Sequence, residues 1–256
     1  MKTKKEIVEN WLPRYTGMSL DMFGKYILLV NFSNYVELFA GMKNVKIYGN
    51  KGAMQAATAD NITIINFGMG SANAATIMDL LMAIKPKACL FLGKCGGLKS
   101  MNKLGDLILP IAAIRGDGTS DDYFPSEVPA LPSFALQKAI STTIREYSRD
   151  YWTGTVYTTN RRVWEYDDSF KSYLKSVRAM AVEMETATIF SVGFHNKIPS
   201  GALLLVSDVP MEPEGVKTSK TDESVTRKYV TEHLEIGIDS LNQLINNAQT
   251  VRHLKF

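Results

Sequence analysis

The sequence predicts an α/β fold in which helices cover both faces of a mostly parallel or mixed β-sheet. Short apolar runs alternate with longer amphipathic segments along the chain, and several of the apolar runs are nearly continuous. Strands that are buried on both faces of a sheet have this composition. In such folds ligands bind outside the carboxyl ends of the strands, so the residues that follow each strand are the first candidates for a site.

Six apolar runs are predicted as strands, and they span residues 26–30, 62–65, 88–92, 106–114, 153–157 and 201–207. Five segments with apolar residues at helical spacing are predicted as helices. They span residues 33–40, 72–84, 132–147, 183–196 and 224–246. Segments 115–131 and 210–222 have no clear pattern, and loops of this length often serve as lids or subunit contacts.

The composition is that of a folded chain with one domain over residues 1–256, in which 45% of residues are hydrophobic and 21% are charged. The net charge of +3 gives no extended nucleic-acid footprint, although a few local cations suffice for a phosphorylated metabolite. Cys89 and Cys95 match no metal or redox motif, which favours a reducing compartment. No signal peptide or membrane span is evident, so the predicted location is cytoplasmic, with no membrane partner.

Asp208 is the first candidate for an acid, because it directly follows the apolar strand and Ser207. Partial burial at the rim of a sheet raises the pKa of a carboxyl group and lets it hold a proton near neutral pH. Asp208 could equally cap a turn before Pro210, and spacing alone favours that simpler role. Asn31 follows an earlier strand in the same way.

Glu183, Met184 and Glu185 open a predicted helix. Acidic residues in a first helical turn are favoured by the helix dipole, and this structural role is sufficient to explain them. Two carboxylates beside a methionine could also bind a vicinal diol while the thioether packs against a sugar ring. The three residues alone favour the structural role.

Residues 93–97 are predicted as a glycine-rich turn after a buried strand, where the backbone at Gly93 and the charge of Lys94 could hold an anion. Tyr157 ends another strand and could stack on a base, while Arg161 and Arg162 could bind phosphate or simply be solvated. The residues match neither a Walker loop nor a dinucleotide fingerprint.

No metal site, nucleophilic triad or cofactor site is predicted. The histidines lie near helix ends or in the tail and form no group with cysteine, serine or carboxylate residues. These histidines are His195, His233 and His253.

The order of these motifs along the chain is more specific than any one of them. In sequence they are Gly68-Met-Gly, Gly93-Lys-Cys-Gly-Gly, Ala113-Ile-Arg-Gly-Asp-Gly-Thr-Ser, Val182-Glu-Met-Glu and Val206-Ser-Asp. The series resembles the nucleoside phosphorylase I family of purine nucleoside and uridine phosphorylases, over residues 26–245. The resemblance implies a three-layer α/β sandwich with a mixed, barrel-like central sheet. It also implies a homo-oligomer, either a dimer or a hexamer built as a trimer of dimers.

The resemblance implies a role for several residues. Asp208 matches the acid that protonates the purine at N7, and Glu185 matches the residue that binds the ribose 2′- and 3′-hydroxyls. Met184 matches the residue that packs under the sugar, and Tyr157 falls near the aromatic residue that stacks on the base.

Three departures from the family pattern concern phosphate, which is the nucleophile of the phosphorylases. The stretch Asn31-Phe-Ser-Asn-Tyr35 has a tyrosine where the family has an arginine. Phe91 stands in place of a second arginine, and Lys94 in place of a serine or threonine. Phosphate binds poorly without such charge-assisted contacts. The pattern resembles family members that use water to convert AMP to adenine and ribose 5-phosphate.

The predicted partners are therefore AMP and water. Lys94 is the leading candidate to bind the 5′-phosphate, followed by Arg161, Arg162 and, from a neighbouring subunit, Lys46 or Lys51. One alternative is a phosphorylase or nucleosidase that acts on unphosphorylated nucleosides. A non-catalytic nucleotide-binding protein ranks last, because Asp208 and Glu185 are both present.

Overall fold

A computed structural model describes residues 2–50 and 52–246. The helices are α1 (Lys4–Thr16), α2 (Ser33–Lys43), α3 (Ser71–Leu80), α4 (Phe134–Glu146), α5 (Asp168–Ser176), α6 (Thr186–His195) and α7 (Ser219–Asn246). The strands are β1 (Tyr26–Val30), β2 (Gln55–Ala59), β3 (Ile62–Asn66), β4 (Ala88–Gly97), β5 (Leu107–Gly116), β6 (Tyr151–Thr159), β7 (Ala181–Glu183) and β8 (Ser200–Asp208).

Strand β4 joins an open part of the sheet to a closed ring. On the open side β4 pairs in parallel with β1, which pairs with β3, and β2 forms the antiparallel edge. On the other side β4, β7, β6, β5 and β8 follow in order, and β8 pairs with β4 again. The predicted mixed, barrel-like sheet is confirmed.

Helices pack on both faces of the sheet and enclose two hydrophobic cores. Along β1 the side chains alternate between them, so that Ile27 and Leu29 enter the core under α1, α3 and α6. Leu28 and Val30 enter the core under α2, α4 and α7. This period of two explains why all five residues of β1 are buried, and it confirms the three-layer arrangement.

The observed elements depart from the predicted ones in three ways. The segments that form α1, α5 and β2 carried no prediction, although Thr3 and Glu6 form a capping box that marks the start of α1. Helix α7 begins at Ser219, within a segment that has no clear sequence pattern. The residues predicted to open a helix at 183 form β7 first, and α6 begins only at Thr186.

The predicted glycine-rich turn at residues 93–97 is wrong, because these residues continue strand β4. Gly93 pairs with Leu204 of β8, and Gly96 and Gly97 pair with β7. This segment is therefore part of the barrel wall and not a turn after the strand. No helix in the described part of the chain is long and apolar enough to cross a membrane.

Candidate active site

One cavity of about 200 Å³ lies where several strands end. It brings together six residues that the sequence singled out on separate strands. These are Asn31, Lys94, Met184, Glu185, Ser207 and Asp208. Glu183, Arg161 and Arg162 also line it. The residues that the sequence places at the ends of strands therefore lie together in this cavity.

Asp208 ends strand β8, and most of its carboxyl group is shielded from solvent, with 12% of the side chain exposed. The Ser207 hydroxyl donates to Asp208 Oδ1 over 2.8 Å, and the Lys217 ammonium lies 3.8 Å from the same oxygen. Burial raises the pKa of Asp208 above its ordinary value, and Lys217 and Ser207 reduce that rise. The result is a carboxyl group that holds a proton more readily than a solvated aspartate.

Glu183 is a buried cap for helix α6. Its Oε2 accepts from the backbone N–H groups of Glu185 and Thr186, each over 2.7 Å. Its Oε1 accepts from the Thr158 hydroxyl over 2.5 Å. Three donors therefore occupy this carboxylate, which fixes the start of α6 and with it the orientation of Glu185.

Glu185 is buried and faces the cavity with few partners. The backbone N–H of Gly70 donates to Glu185 Oε1 over 2.6 Å. Burial and the nearby charge of Glu183 raise the pKa of Glu185 to about 8, well above that of a solvated glutamate. Because Glu183 has three donors, the negative charge of the pair stays on Glu183 and the proton on Glu185.

Asn31 supplies an unused acceptor beside Glu185. Its side-chain oxygen Oδ1 is buried and has no hydrogen-bond partner within the described structure. Buried polar atoms are nearly always paired in folded proteins, so this oxygen fits a donor supplied by a ligand. Met184 lines the same part of the cavity. This region offers acceptors for hydroxyl groups next to a thioether surface.

Lys94 lines the cavity, but its ammonium group already has partners. It donates to Asp222 Oδ1 and to the Thr226 hydroxyl, each over 2.8 Å, and lies 4.8 Å from the centre of the Phe32 ring. Only 3% of the side chain is exposed. Lys217 contacts Asp222 as well, over 3.5 Å.

Gly93 and Tyr157 are not among the residues that line the cavity. A side chain at Gly93 would meet the Phe91 ring within the barrel. The Tyr157 ring packs edge-on against Phe170, with ring centres 5.7 Å apart. Phe170 in turn contacts Trp164, which does line the cavity. Tyr157 thus belongs to an aromatic cluster that reaches the cavity through Trp164.

The positions of the two absent arginines hold buried, uncharged side chains. Phe91 and Tyr35 are both fully buried. The Tyr35 hydroxyl lies 2.8 Å from Nδ1 of His233, whose Nε2 lies 3.0 Å from the Leu203 carbonyl oxygen. Burial lowers the pKa of His233 to about 4, so this histidine is neutral at physiological pH, with Nε2 donating and Nδ1 accepting.

Among the lining residues for which the sequence predicted no role are Trp164, Glu165, Lys217 and Asp222. The last two lie in or next to segment 210–222, where the sequence has no periodic pattern, and only the folded chain brings them to β4 and β8. The described residues hold no metal-binding cluster. Lys51 and His253 lie outside the described residues.

The comparison with protein families decides where the chain belongs. Residues 25–247 match the model of the Phosphorylase superfamily. The chain belongs to this superfamily. The match covers all of the strands and the cavity, so the family resemblance predicted from the ordered motifs is confirmed.

Individual relatives carry the names of hydrolases and of phosphorylases. The chain is 32% identical to an AMP nucleosidase of Escherichia coli K12, over 91% of this chain and 57% of that protein. It thus spans a little over half the length of that relative. It is 24% identical to a guanosine phosphorylase of Halorubrum lacusprofundi, over 66% of this chain and 69% of that protein.

Two solved structures resemble the whole chain. A crystal structure of an AMP nucleosidase from Bacteroides thetaiotaomicron is 58% identical, with a TM-score of 0.87, over 96% of this chain and 99% of the other. A uridine phosphorylase from Vibrio fischeri has a TM-score of 0.77 at 21% identity, over 88% of this chain and 93% of the other. The second likeness concerns the fold alone.

Proposed function

We propose that the chain is an N-glycosyl hydrolase that converts AMP and water to adenine and ribose 5-phosphate. The observation that carries the proposal is the burial of Tyr35 and Phe91 at the positions of the two family arginines. A phosphate ion in this cavity lacks both guanidinium groups, whereas water needs neither. The AMP nucleosidases from E. coli and B. thetaiotaomicron support the same reaction.

In the proposed mechanism Asp208 is the general acid. Burial raises its pKa, which favours the protonated form that can donate to N7 of adenine. Protonation there draws electrons from the C1′–N9 bond, so that adenine leaves as a neutral base while the ribose gains oxocarbenium character. The Ser207 hydroxyl donates to Oδ1 and so orients the carboxyl group. General-acid catalysis of this kind contributes roughly 10²–10⁴-fold to a rate.

The ribose fits the region between Glu185, Met184 and Asn31. Glu185 forms hydrogen bonds with the 2′- and 3′-hydroxyls, and the unpartnered Asn31 Oδ1 is a further acceptor. Met184 packs against the ring. Glu183 does not touch the sugar in this proposal, because three protein donors occupy it, and it acts by fixing Glu185 at the start of α6. The adenine ring stacks on Trp164.

The 5′-phosphate is met by the cations of the cavity. Lys94, which the sequence favours, already donates to Asp222 and Thr226 and therefore contributes its charge at longer range. We assign the direct contacts to Arg161 and Arg162, which line the cavity and are 42% and 54% exposed, so that they can exchange their ion pairs with Asp167 and Glu165 for the phosphate. No cofactor takes part in the proposed reaction.

The proposal is tested by incubating the purified chain with AMP in phosphate-free buffer. Free adenine and ribose 5-phosphate, in equal amounts, are the expected products. Adenosine, inosine and GMP in parallel reactions measure the preference for the phosphate and for the base. The proposal fails if AMP is stable, or if adenine appears only after inorganic phosphate is added, because the latter result identifies a phosphorylase.

We also propose that the chain forms a homo-oligomer, a dimer or a hexamer, in the cytoplasm. Large apolar side chains on the surface support an interface, with Phe134 84% and Ile111 57% exposed. Cys89 and Cys95 are unpaired and buried, which fits a reducing compartment. Light scattering of the purified chain tests the assembly, and a monomeric mass at micromolar concentration would contradict it.

A further inference from the structure

Hydrolysis by a neutral water molecule requires a group that accepts the proton of that water. The cavity offers Asp222 for this step, in the first turn of α7. The inference rests on the proposed function, because it concerns the nucleophile of that reaction. It concerns activation of the attacking water, whereas Asp208 activates the leaving base.

The other carboxylates of the cavity are committed to different contacts. Glu183 is occupied by three donors, and Glu185 favours its protonated form and faces the ribose region. Glu165 accepts from the backbone N–H of Trp164 over 2.9 Å, and its charge acts on Asp208, so it belongs to the end of the cavity that holds the base. Among the carboxylates that line the cavity, Asp222 is the one to which no role has yet been assigned. It has two cationic partners, Lys94 and Lys217.

The contacts of Asp222 suit a proton acceptor. Lys94 donates to Oδ1 over 2.8 Å, and Lys217 lies 3.5 Å from the same oxygen. Within the described part of the chain both contacts use Oδ1, which leaves Oδ2 for a water molecule. Although burial raises the pKa of Asp222, the two ammonium groups outweigh it and hold the pKa below its ordinary value. The group is therefore ionised when substrate binds.

We propose that Asp222 is the general base that takes a proton from the attacking water. The water oxygen forms a bond to C1′, and its proton passes to the Asp222 carboxylate. The C1′–N9 bond breaks, its electron pair goes to adenine, and N7 takes the proton of Asp208. Adenine and ribose 5-phosphate leave with all atoms and charges balanced.

After one turnover Asp222 is protonated and Asp208 is ionised, so a proton must return from the first to the second. Lys217 lies between them, with its ammonium 3.5 Å from Asp222 Oδ1 and 3.8 Å from Asp208 Oδ1. The two carboxyl groups therefore lie close together in one cavity, where water that enters after the products leave can return the proton.

The same carboxylate discriminates between nucleophiles. An anion that approaches C1′ from this side competes with the Asp222 carboxylate for Lys94 and Lys217, whereas neutral water needs neither cation. When the carboxylate becomes an amide, the two cations are left to attract an anionic nucleophile.

The test compares Asp222→Asn with the wild-type chain, using AMP with and without sodium azide. Azide attacks C1′ without losing a proton, so it needs no general base. We expect the variant to hydrolyse AMP at least ~10²-fold more slowly, with KM changed little. Azide should then restore adenine release and yield ribosyl azide 5-phosphate. Asp222→Glu, which keeps a base, should retain more hydrolysis than Asp222→Asn.

Glu223→Gln is the matched control, because Glu223 is an exposed neighbour on the same helix. The inference is overturned if Asp222→Asn keeps kcat within fivefold of the wild type. It is also overturned if hydrolysis falls and azide restores nothing, since that pattern is the mark of a damaged site. If the wild-type chain releases no adenine from AMP, the proposed function itself fails, and this outcome differs from both.

Discussion

The Lys217 ammonium lies 3.8 Å from Asp208 Oδ1, the same oxygen that accepts the Ser207 hydroxyl over 2.8 Å. Burial raises the pKa of Asp208, and the positive charge of Lys217 is the largest influence that opposes it. The proton affinity of the acid therefore depends on a balance between desolvation and one lysine. Lys217 lies in the segment before α7, so this segment influences the pKa of the acid at the end of β8.

Removal of the Lys217 charge should shift the pH dependence of the reaction. In Lys217→Met the pKa of Asp208 rises, because the largest influence that opposes burial is removed and only the weaker ones of Ser207 and Arg162 remain. Asp208 stays protonated to higher pH, and the alkaline limb of the kcat/KM profile moves to higher pH. A full pH–rate profile measures the shift. Lys220→Met, at an exposed position, is the control, and an unchanged or lowered limb would contradict the prediction.

Loss of the acid should reduce turnover without loss of the fold. Asp208→Asn keeps the shape of the side chain but has no proton to give to N7. We expect kcat for AMP to fall at least ~10²-fold, with a melting temperature close to that of the wild type. Asp60→Asn is a matched control, since Asp60 is exposed and its φ of 52° suits asparagine. Near-normal turnover of Asp208→Asn would remove the mechanism.

Glu183 and Glu185 are neighbours along the chain, but their loss should have opposite effects on stability. Glu183→Ala leaves two backbone N–H groups at the start of α6 and the Thr158 hydroxyl without their acceptor. Buried donors without partners cost roughly 1–3 kcal/mol each, so denaturant unfolding should show a loss of at least about 2 kcal/mol. A variant as stable as the wild type would show that Glu183 is not a structural cap.

Glu185→Gln should instead stabilise the chain at alkaline pH while it impairs binding of the ribose. The pKa of Glu185 is raised to about 8 in the folded state, so this group favours folding below pH 4.5, its ordinary pKa. That contribution is lost as pH rises from about 4.5 to about 8, because the unfolded chain ionises first. Glutamine does not titrate. The melting temperature of the variant relative to wild type should therefore rise between pH 5 and pH 8, and a constant difference would contradict this.

The sequence predicted the residues whose position depends on strand order. Asn31, Glu185 and Asp208 each follow or end a strand, and strands with parallel neighbours bring such residues to one cavity. The position of Lys94 was predicted on the wrong physical basis. The sequence suggested a turn after a short strand, whereas β4 continues through Lys94 because β7 and β8 supply hydrogen-bond partners that local sequence cannot reveal.

The remaining parts of the site depend on contacts between distant segments. Asp222 meets Lys94 across 128 positions of sequence, and no local pattern in segment 210–222 indicates that contact. Tyr157 and Trp164 belong to one aromatic cluster, and only the packing of α5 decides which ring faces the cavity. A strand end identifies where an aromatic residue lies along the chain, but not which way its ring points.

Comparison of AMP with adenosine separates the cations that bind phosphate from those that position a carboxylate. In the double variant Arg161→Ala, Arg162→Ala, we expect KM for AMP to rise roughly tenfold or more, with kinetics on adenosine unchanged, because only AMP loses charge-assisted contacts. In Lys94→Ala we expect kcat to fall for both substrates, since Asp222 loses its closest cation. Arg227→Ala, on the exposed face of α7, is the control. A Lys94→Ala variant with altered KM for AMP alone would instead make Lys94 the phosphate ligand, and an unchanged KM in the arginine double variant would exclude that pair.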